Sequence, residues 1–338
     1  MKRSLLRLSI PFRQPFATAT GVVAARDLLL LRIEDEDGVA GYGEAAPFEP
    51  YDGVSLDRVA HALAEQGKPN GGAPPQAHAA EEMAGLDLAA RRADRPLGEP
   101  GAEAIAVNRT LPAGPPEEVA AAARRGVRAG YSCFKLKVGL PDDAERVAAV
   151  RRAIGPWPAL RVDANGAWSV EEAVATLPAL AEHDIELVEQ PCRTLEELAH
   201  VRHTLGIPVA ADESVASVAD VEAAARAGAC DAINVKLAAA GGFTAARETV
   251  RAAAAHGLEP YLSSTLDGPW GIAAALQVAA SEDVSLACGL ATLELFDAEL
   301  ADALPPPAVG LLAVPEGPGL GVAVDGAALA EVLVEEIE

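Results

Sequence analysis

The sequence predicts an α/β protein, a closed barrel of parallel strands with a small α+β domain attached, and three observations carry that prediction. Short β-rich runs alternate with Ala-rich stretches of helical period over about 190 residues, the pattern of repeated strand-helix units. The chain has 338 residues, 50% of them hydrophobic, enough for one large core rather than several small modules. Ionisable residues stand where successive runs stop, and in a barrel those strand ends share one cavity.

The first 102 residues form the α+β part. Leu28 to Ile33 reads as a strand, Gly38 to Gly43 as a turn entering another, and Ala60 to Glu65 as the opening of a helical pattern. Gly67 to Pro75, rich in Gly and Pro, reads as an exposed loop. The barrel is expected over 103–300. Its eight strands are Ala104 to Arg109, Cys133 to Val138, Ala159 to Asp163, Ile185 to Glu189, Pro208 to Asp212, Ala232 to Leu237, Glu259 to Ser264 and Val284 to Gly289. The crossover helices are Pro116 to Ala129, Asp142 to Ile154, Val170 to His183, Leu195 to Leu205, Val218 to Ala227 and Phe243 to His256. An open doubly wound sheet is the structural competitor, but no phosphate-binding turn follows the first strand. Gly317 to Gly321 neither follows a long apolar strand nor opens a helix, so it reads as a turn.

Fifty Asp and Glu against 27 Lys and Arg give a formal net charge of -23, which argues against nucleic acid and anionic membrane surfaces as partners. A small-molecule carboxylate would need local positive charge to approach such a surface. Cys133, Cys192, Cys230 and Cys288 are far apart, without zinc or disulfide spacing, and are expected as buried thiols. No apolar run of about 20 residues and no signal-peptide pattern is evident, so the expected location is cytoplasmic. Homo-oligomerisation is left open.

The third, fourth and fifth runs end at Asp163, Glu189 and Asp212, spaced by 26 and then 23 residues, one strand-helix repeat each. Three carboxylates in one cavity repel one another and are costly to desolvate without a cation. Oxygen ligands with no His or Cys point to Mg²⁺, with Mn²⁺ as a substitute. Only five of the 27 basic residues are lysines, yet Lys135, Lys137 and Lys236 all fall at strand ends. Arginine stays charged at any working pH, whereas a lysine amine can exchange a proton, so retained lysines suggest proton transfer. Lys135 and Lys137 are two apart on a strand and share a face, which must be the barrel interior. A metal between a substrate carboxylate and these acids, with lysines on either side, suits removal of a proton α to that carboxylate.

With the motifs Lys135-x-Lys137, Asp163-x-Asn165, Glu189-Gln190-Pro191, Asp212-Glu213-Ser214 and Asn234-Val235-Lys236, the chain resembles the enolase superfamily, in its muconate lactonizing enzyme subgroup. The resemblance implies a modified TIM barrel, (β/α)7β, topped by an α+β capping domain built from 1–102 and from the returning segment 301–338. It implies Asp163, Glu189 and Asp212 as Mg²⁺ ligands and Lys137 and Lys236 as the acid/base pair. The run Ser263 to Gly271 and the run Ala287 to Thr292 are most similar to the o-succinylbenzoate synthases, which act on the route to menaquinone. There Lys137 would take the proton and assist departure of hydroxide, and Lys236 would stabilise the charge from the opposite face. Lys135 and Arg161 would support the substrate carboxylate, with Ser264 at the seventh strand end as a further contact. Phe16 to Ala25 and Ala46 to Gly53 are the candidate capping loops, and Phe48 and Tyr51 would close over the substrate or pack at the domain interface. Racemase, epimerase and cycloisomerase activities on the same scaffold remain open, as does a non-catalytic binding barrel.

Overall fold

The computed structural model describes residues 1–18, 21–64, 72–98, 101–282, 284–298, 300, 304, 306–323 and 326–337. The loop expected at 67–75 falls mostly outside them. An antiparallel ladder joins β1 (Lys2–Thr18) to β2 (Gly21–Glu34), which pairs in turn with β3 (Ala40–Ala45). The β2–β3 turn is locked by Asp35, whose Oδ1 accepts from the amides of Asp37 and Val39 at 2.9 and 3.0 Å. Three helices follow, α1 (Glu49–Asp52), α2 (Leu56–Ala64) and α3 (Pro75–Arg92). Gly41 and Gly43 lie against α3 so closely that a Cβ on Gly43 would sit 1.9 Å from the Ala80 carbonyl oxygen.

After β4 (Ala104–Ala106) the chain alternates β5 (Arg109–Leu111), α4 (Pro116–Arg128), β6 (Cys133–Lys137), α5 (Asp143–Ile154), β7 (Ala159–Asp163), α6 (Val170–Ala181), β8 (Leu187–Glu189), α7 (Leu195–Leu205), β9 (Val209–Ala211), α8 (Val218–Ala227) and β10 (Ala232–Val235). The short α9 (Leu237–Ala240), α10 (Phe243–Ala255), β11 (Glu259–Leu262) and α11 (Pro269–Ser281) complete it. β5 to β11 form one parallel sheet in sequential order. Its strands are apolar along most of their length because helices cover the outer face.

Two expected strands differ. Ala104 to Arg109 is divided: β4 pairs antiparallel with β12 (Leu311–Ala313), and the barrel's first strand starts only at Arg109. The run Val284 to Gly289 forms no extended strand, but its end closes the ring through parallel bridges from Cys288 to Val107 and from Gly289 to Ser263. The fold is thus a modified TIM barrel with a separate antiparallel sheet. The chain ends in α12 (Gly326–Val332) and β13 (Leu333–Ile337), which pairs with β1 and makes the sheet order β13-β1-β2-β3. The segment from Gly317 to Gly321 is a turn, as expected. All four cysteines are buried and free, and no helix among the described residues is long and apolar enough to cross a membrane.

Candidate active site

The register of the parallel sheet sets Lys137 beside Asp163 and Asp163 beside Glu189, so these side chains leave one end of the barrel together. The loops after them are held at both ends. Each of the helices α6, α7 and α8 starts with a reciprocal cap, Ser169 with Glu172, Thr194 with Glu197 and Ser217 with Asp220, five or six residues beyond the acid of its strand. Asn165 and Gln190 take left-handed backbone conformations, φ 46° and 39°, to turn the chain sharply after Asp163 and Glu189.

Lys135 Nζ lies 2.8 Å from Asp163 Oδ2 and 2.7 Å from Glu189 Oε2. Lys137 Nζ donates to Asp163 Oδ2 at 2.5 Å and to Asn165 Oδ1 at 2.6 Å. Lys236 grips both oxygens of Asp212, and its ammonium stands 3.9 Å above the ring of Tyr51, whose hydroxyl donates to Asp212 Oδ1 at 3.0 Å. Asn234 Nδ2 donates to Glu189 Oε1 at 2.9 Å. Asn234 sat inside a recognised motif, yet sequence reasoning gave it no role; its spacing two residues before Lys236 was the available signal.

Burial and charge work against each other here. For Asp163 burial favours the neutral acid, but Lys135 and Lys137 outweigh it and hold the carboxyl below its ordinary range. Glu189 is pushed up, first by burial and then by repulsion from Asp163. For Lys135 and Lys236 burial is again the largest influence, and the carboxylates override it to keep both ammonium groups charged above the ordinary lysine range.

As they stand, no three His, Cys, Asp or Glu side chains among the described residues are set to enclose one ion. The donor chemistry nevertheless fits a hard divalent cation: three buried carboxylates on adjacent strands, with Glu189 Oε2 accepting no well-directed hydrogen bond although an ammonium lies close. Asp163, Glu189 and Asp212 are the residues that could hold it.

Of the other expected site residues, Ser264 stands at the rim, its hydroxyl 2.7 Å from that of Thr292. Phe48 lies half-buried under the Arg26 guanidinium rather than beside the lysines. Arg161 is brought to a different place. It shares a face with Asp163 but lies two residues deeper, bonded to Glu186 and to the Ala287 carbonyl at 2.7 Å, over the ring of Tyr261. Strand alternation revealed its face and could not reveal its depth.

A barrel with acids on three adjacent strands and lysines flanking them defines a class of enzyme, and comparison with known proteins says which. The family model described as Enolase C-terminal domain-like matches residues 118–328. The chain belongs to the enolase superfamily, with relatives in its muconate lactonizing enzyme and epimerase subgroups, and is an enzyme of the lyase or isomerase type. It is 34% identical over 312 residues to the o-succinylbenzoate synthase of Thermobifida fusca, covering 90% of this chain and 86% of that one. Among solved structures it is similar to the N-succinyl Arg/Lys racemase of Bacillus cereus, with a TM-score of 0.93, 25% identity and coverage of 99% and 98%. It is also similar to a dipeptide epimerase of Cytophaga hutchinsonii complexed with Mg and D-Ala-L-Val, with a TM-score of 0.91, 28% identity and coverage of 99% and 98%.

Proposed function

We propose that this chain removes the proton α to a substrate carboxylate in a Mg²⁺-dependent reaction, and that the reaction is dehydration of a cyclohexadiene carboxylate to o-succinylbenzoate in menaquinone biosynthesis. The observation that carries the reading is the order across the sheet: Lys135 and Lys137 on β6, Asp163 on β7, Glu189 on β8, Asp212 after β9 and Lys236 after β10. The likeness to the T. fusca synthase supports the choice of substrate.

Bound among Asp163, Glu189 and Asp212, Mg²⁺ or its substitute Mn²⁺ would supply positive charge as negative charge grows on the substrate carboxylate. Lys137 is the base, since its side chain is 34% exposed against 11% for Lys135 and 9% for Lys236. As a free amine it accepts the α-proton, then returns that proton to the leaving hydroxyl, which departs as water. Lys236 stays protonated and stabilises the developing charge from the opposite side, while Tyr51 holds Asp212 and covers the Lys236 ammonium. Lys135 supports the carboxylate, Ser264 contacts the distal part of the substrate, and Phe48 supports the loop carrying Tyr51. Arg161, spent within the barrel, serves the scaffold.

A second reading, racemisation of N-acyl amino acids or cycloisomerisation, is supported by the lysines on both flanks and by the likeness to the B. cereus racemase. Dipeptide epimerisation has less support. The eighth strand end, Leu290-Ala291-Thr292, offers no carboxylate for an ammonium group, Asp267 is buried and bonded to Thr265, and Asp297 is exposed with its amide bonded to the Pro11 carbonyl.

The test is an ultraviolet assay of the cyclohexadiene carboxylate with Mg²⁺, run beside an EDTA control and Lys137→Ala. Turnover lost in both controls is the expected result. No turnover by the unaltered chain, with α-proton exchange in D₂O on N-acyl amino acids, would overturn the dehydratase reading in favour of the second.

A further inference from the structure

Arg26, on β2, lies far from the lysines in sequence and is 4% exposed. A guanidinium buried this deeply is costly unless its planar fork is matched by acceptors. Here the acceptors are backbone carbonyls from three places. Nη1 donates to Asp27 O at 2.9 Å and to Pro47 O at 2.7 Å, Nη2 to Ala46 O at 2.7 Å, and Nε to Leu266 O at 3.2 Å. Burial lowers its pKa, opposed in part by the nearby carboxyls of Asp267 and Glu44.

The placement of those carbonyls gives the contact its meaning. Ala46 and Pro47 lead directly into Phe48, which lies 5.1 Å under the guanidinium, and into Tyr51, which touches Asp212 and Lys236. Leu266 follows the seventh strand and holds a left-handed conformation, φ 63°, that a branched side chain disfavours. Its amide is bonded to the Ser264 hydroxyl at 3.3 Å and its carbonyl to Arg26. Thr265 reinforces the same seam through its hydroxyl to Ala46 O at 3.4 Å, and Glu44 accepts from the amides of Gly268 and Gly271 at 2.7 and 3.1 Å.

We propose that Arg26 is a positioning residue that latches the 46–51 segment to the seventh strand end, setting Tyr51 and Ser264 at a fixed separation across the mouth of the site. The latch itself is a matter of this chain's own contacts; its effect on substrate rests on the reading given above. Four carbonyl groups in three places need a fork, and the single ammonium of a lysine cannot span them, so Arg26→Lys keeps the buried charge while releasing the latch.

The experiment is amide hydrogen exchange on the full chain and its Arg26→Lys and Thr265→Val variants, with steady-state kinetics alongside. Arg26→Lys should speed exchange at least tenfold in 46–54 and 264–268, with strands 133–137 and 159–163 unchanged. Thr265→Val should give a smaller change in the same segments. The kinetic expectation for Arg26→Lys is a KM raised about tenfold with kcat lowered less. Unchanged exchange in both segments of a folded Arg26→Lys protein, or faster exchange spread evenly through the barrel, overturns the proposal. If the unaltered chain does not turn over the cyclohexadiene carboxylate, the substrate reading fails while the exchange result still decides the latch.

Discussion

Lys137 and Lys236 both face carboxylates, yet dehydration asks different things of them. Lys137→Ala should lower kcat about 10³-fold or more, because the other site amines, Lys135 and Lys236, are more deeply buried in their ion pairs, whereas Lys236→Ala should retain more activity by losing only electrostatic support. Racemisation needs both amines as alternating bases, so equal losses in rate at the two positions, measured side by side, would select that reaction. Away from the lysines, Glu44 is the residue whose titration can be read as stability. Burial first, then the neighbouring Asp267, pushes its pKa from 4.5 up to about 8, against the lesser pull of the Gly271 and Gly268 amides and Arg26. A group raised in the folded state binds its proton more tightly there, so its contribution is complete below about pH 4.5 and is lost as pH rises through about 8. The unfolding free energy obtained from urea denaturation should therefore fall between pH 6 and 8.5 by roughly 1 kcal/mol per pH unit. Glu44→Gln should flatten that slope, and an unchanged slope would assign it to other groups. The carboxylates and lysines at the strand ends were legible in the sequence because each stands at the end of an apolar run. Glu44 and Arg26 were not, since each sits among alternating strand residues where a charged side chain reads as solvent-facing.

At the scale of the element, the barrel helices were readable from their Ala-rich composition and period, and their boundaries in the structure lie within about two residues of expectation at either end. Two kinds of element were not. α11 is buried on nearly every side, including Trp270, Ile272, Ala274, Leu276 and Val278, so it has no polar face and no amphipathic period to read. The run Val284 to Gly289 reads as a strand from its residue types, but only its end finds partners, and those lie at opposite edges of the sheet. The caps have consequences of their own. Ser217 Oγ accepts from the Asp220 amide, and the Asp220 side chain accepts from the Ser217 and Ala216 amides, fixing the loop that leaves Asp212. Ser217→Ala should cost about 1 kcal/mol in urea denaturation. The packing of β3 on α3 is less forgiving. Gly43→Ala would press a methyl onto the Ala80 carbonyl, where backbone on both sides leaves nothing to yield. A loss of roughly 3 kcal/mol is expected, the upper end for overpacking, and a stable Gly43→Ala protein would mean that the helix can move off the sheet.

At the scale of the whole molecule, the acidic surface and the charge-balanced site act at different distances. Within the site, three lysines stand against three carboxylates, so the local balance is close to even before any cation is added. Outside the site, within a Debye length of the surface, about 10 Å at 0.1 M salt and about 30 Å at 0.01 M, an approaching ligand meets the net charge of the chain, which is -23. A substrate with two carboxylates, as the dehydratase reading proposes, would be repelled by that field until it reached the site beside Tyr51 and Ser264. Salt screens the outer repulsion more than the buried contacts, because exposed charges are surrounded by ions and the site is not. Raising ionic strength from about 10 to 150 mM, at fixed free Mg²⁺, should therefore increase kcat/KM severalfold while leaving kcat nearly constant. An uncharged ester of the same substrate should lose this dependence along with the carboxylate's affinity. Stopped-flow association rates at several KCl concentrations would separate encounter from chemistry. If the rate instead falls with salt, the lysines and bound cation dominate the long-range field, and attraction to the mouth begins well outside the protein surface.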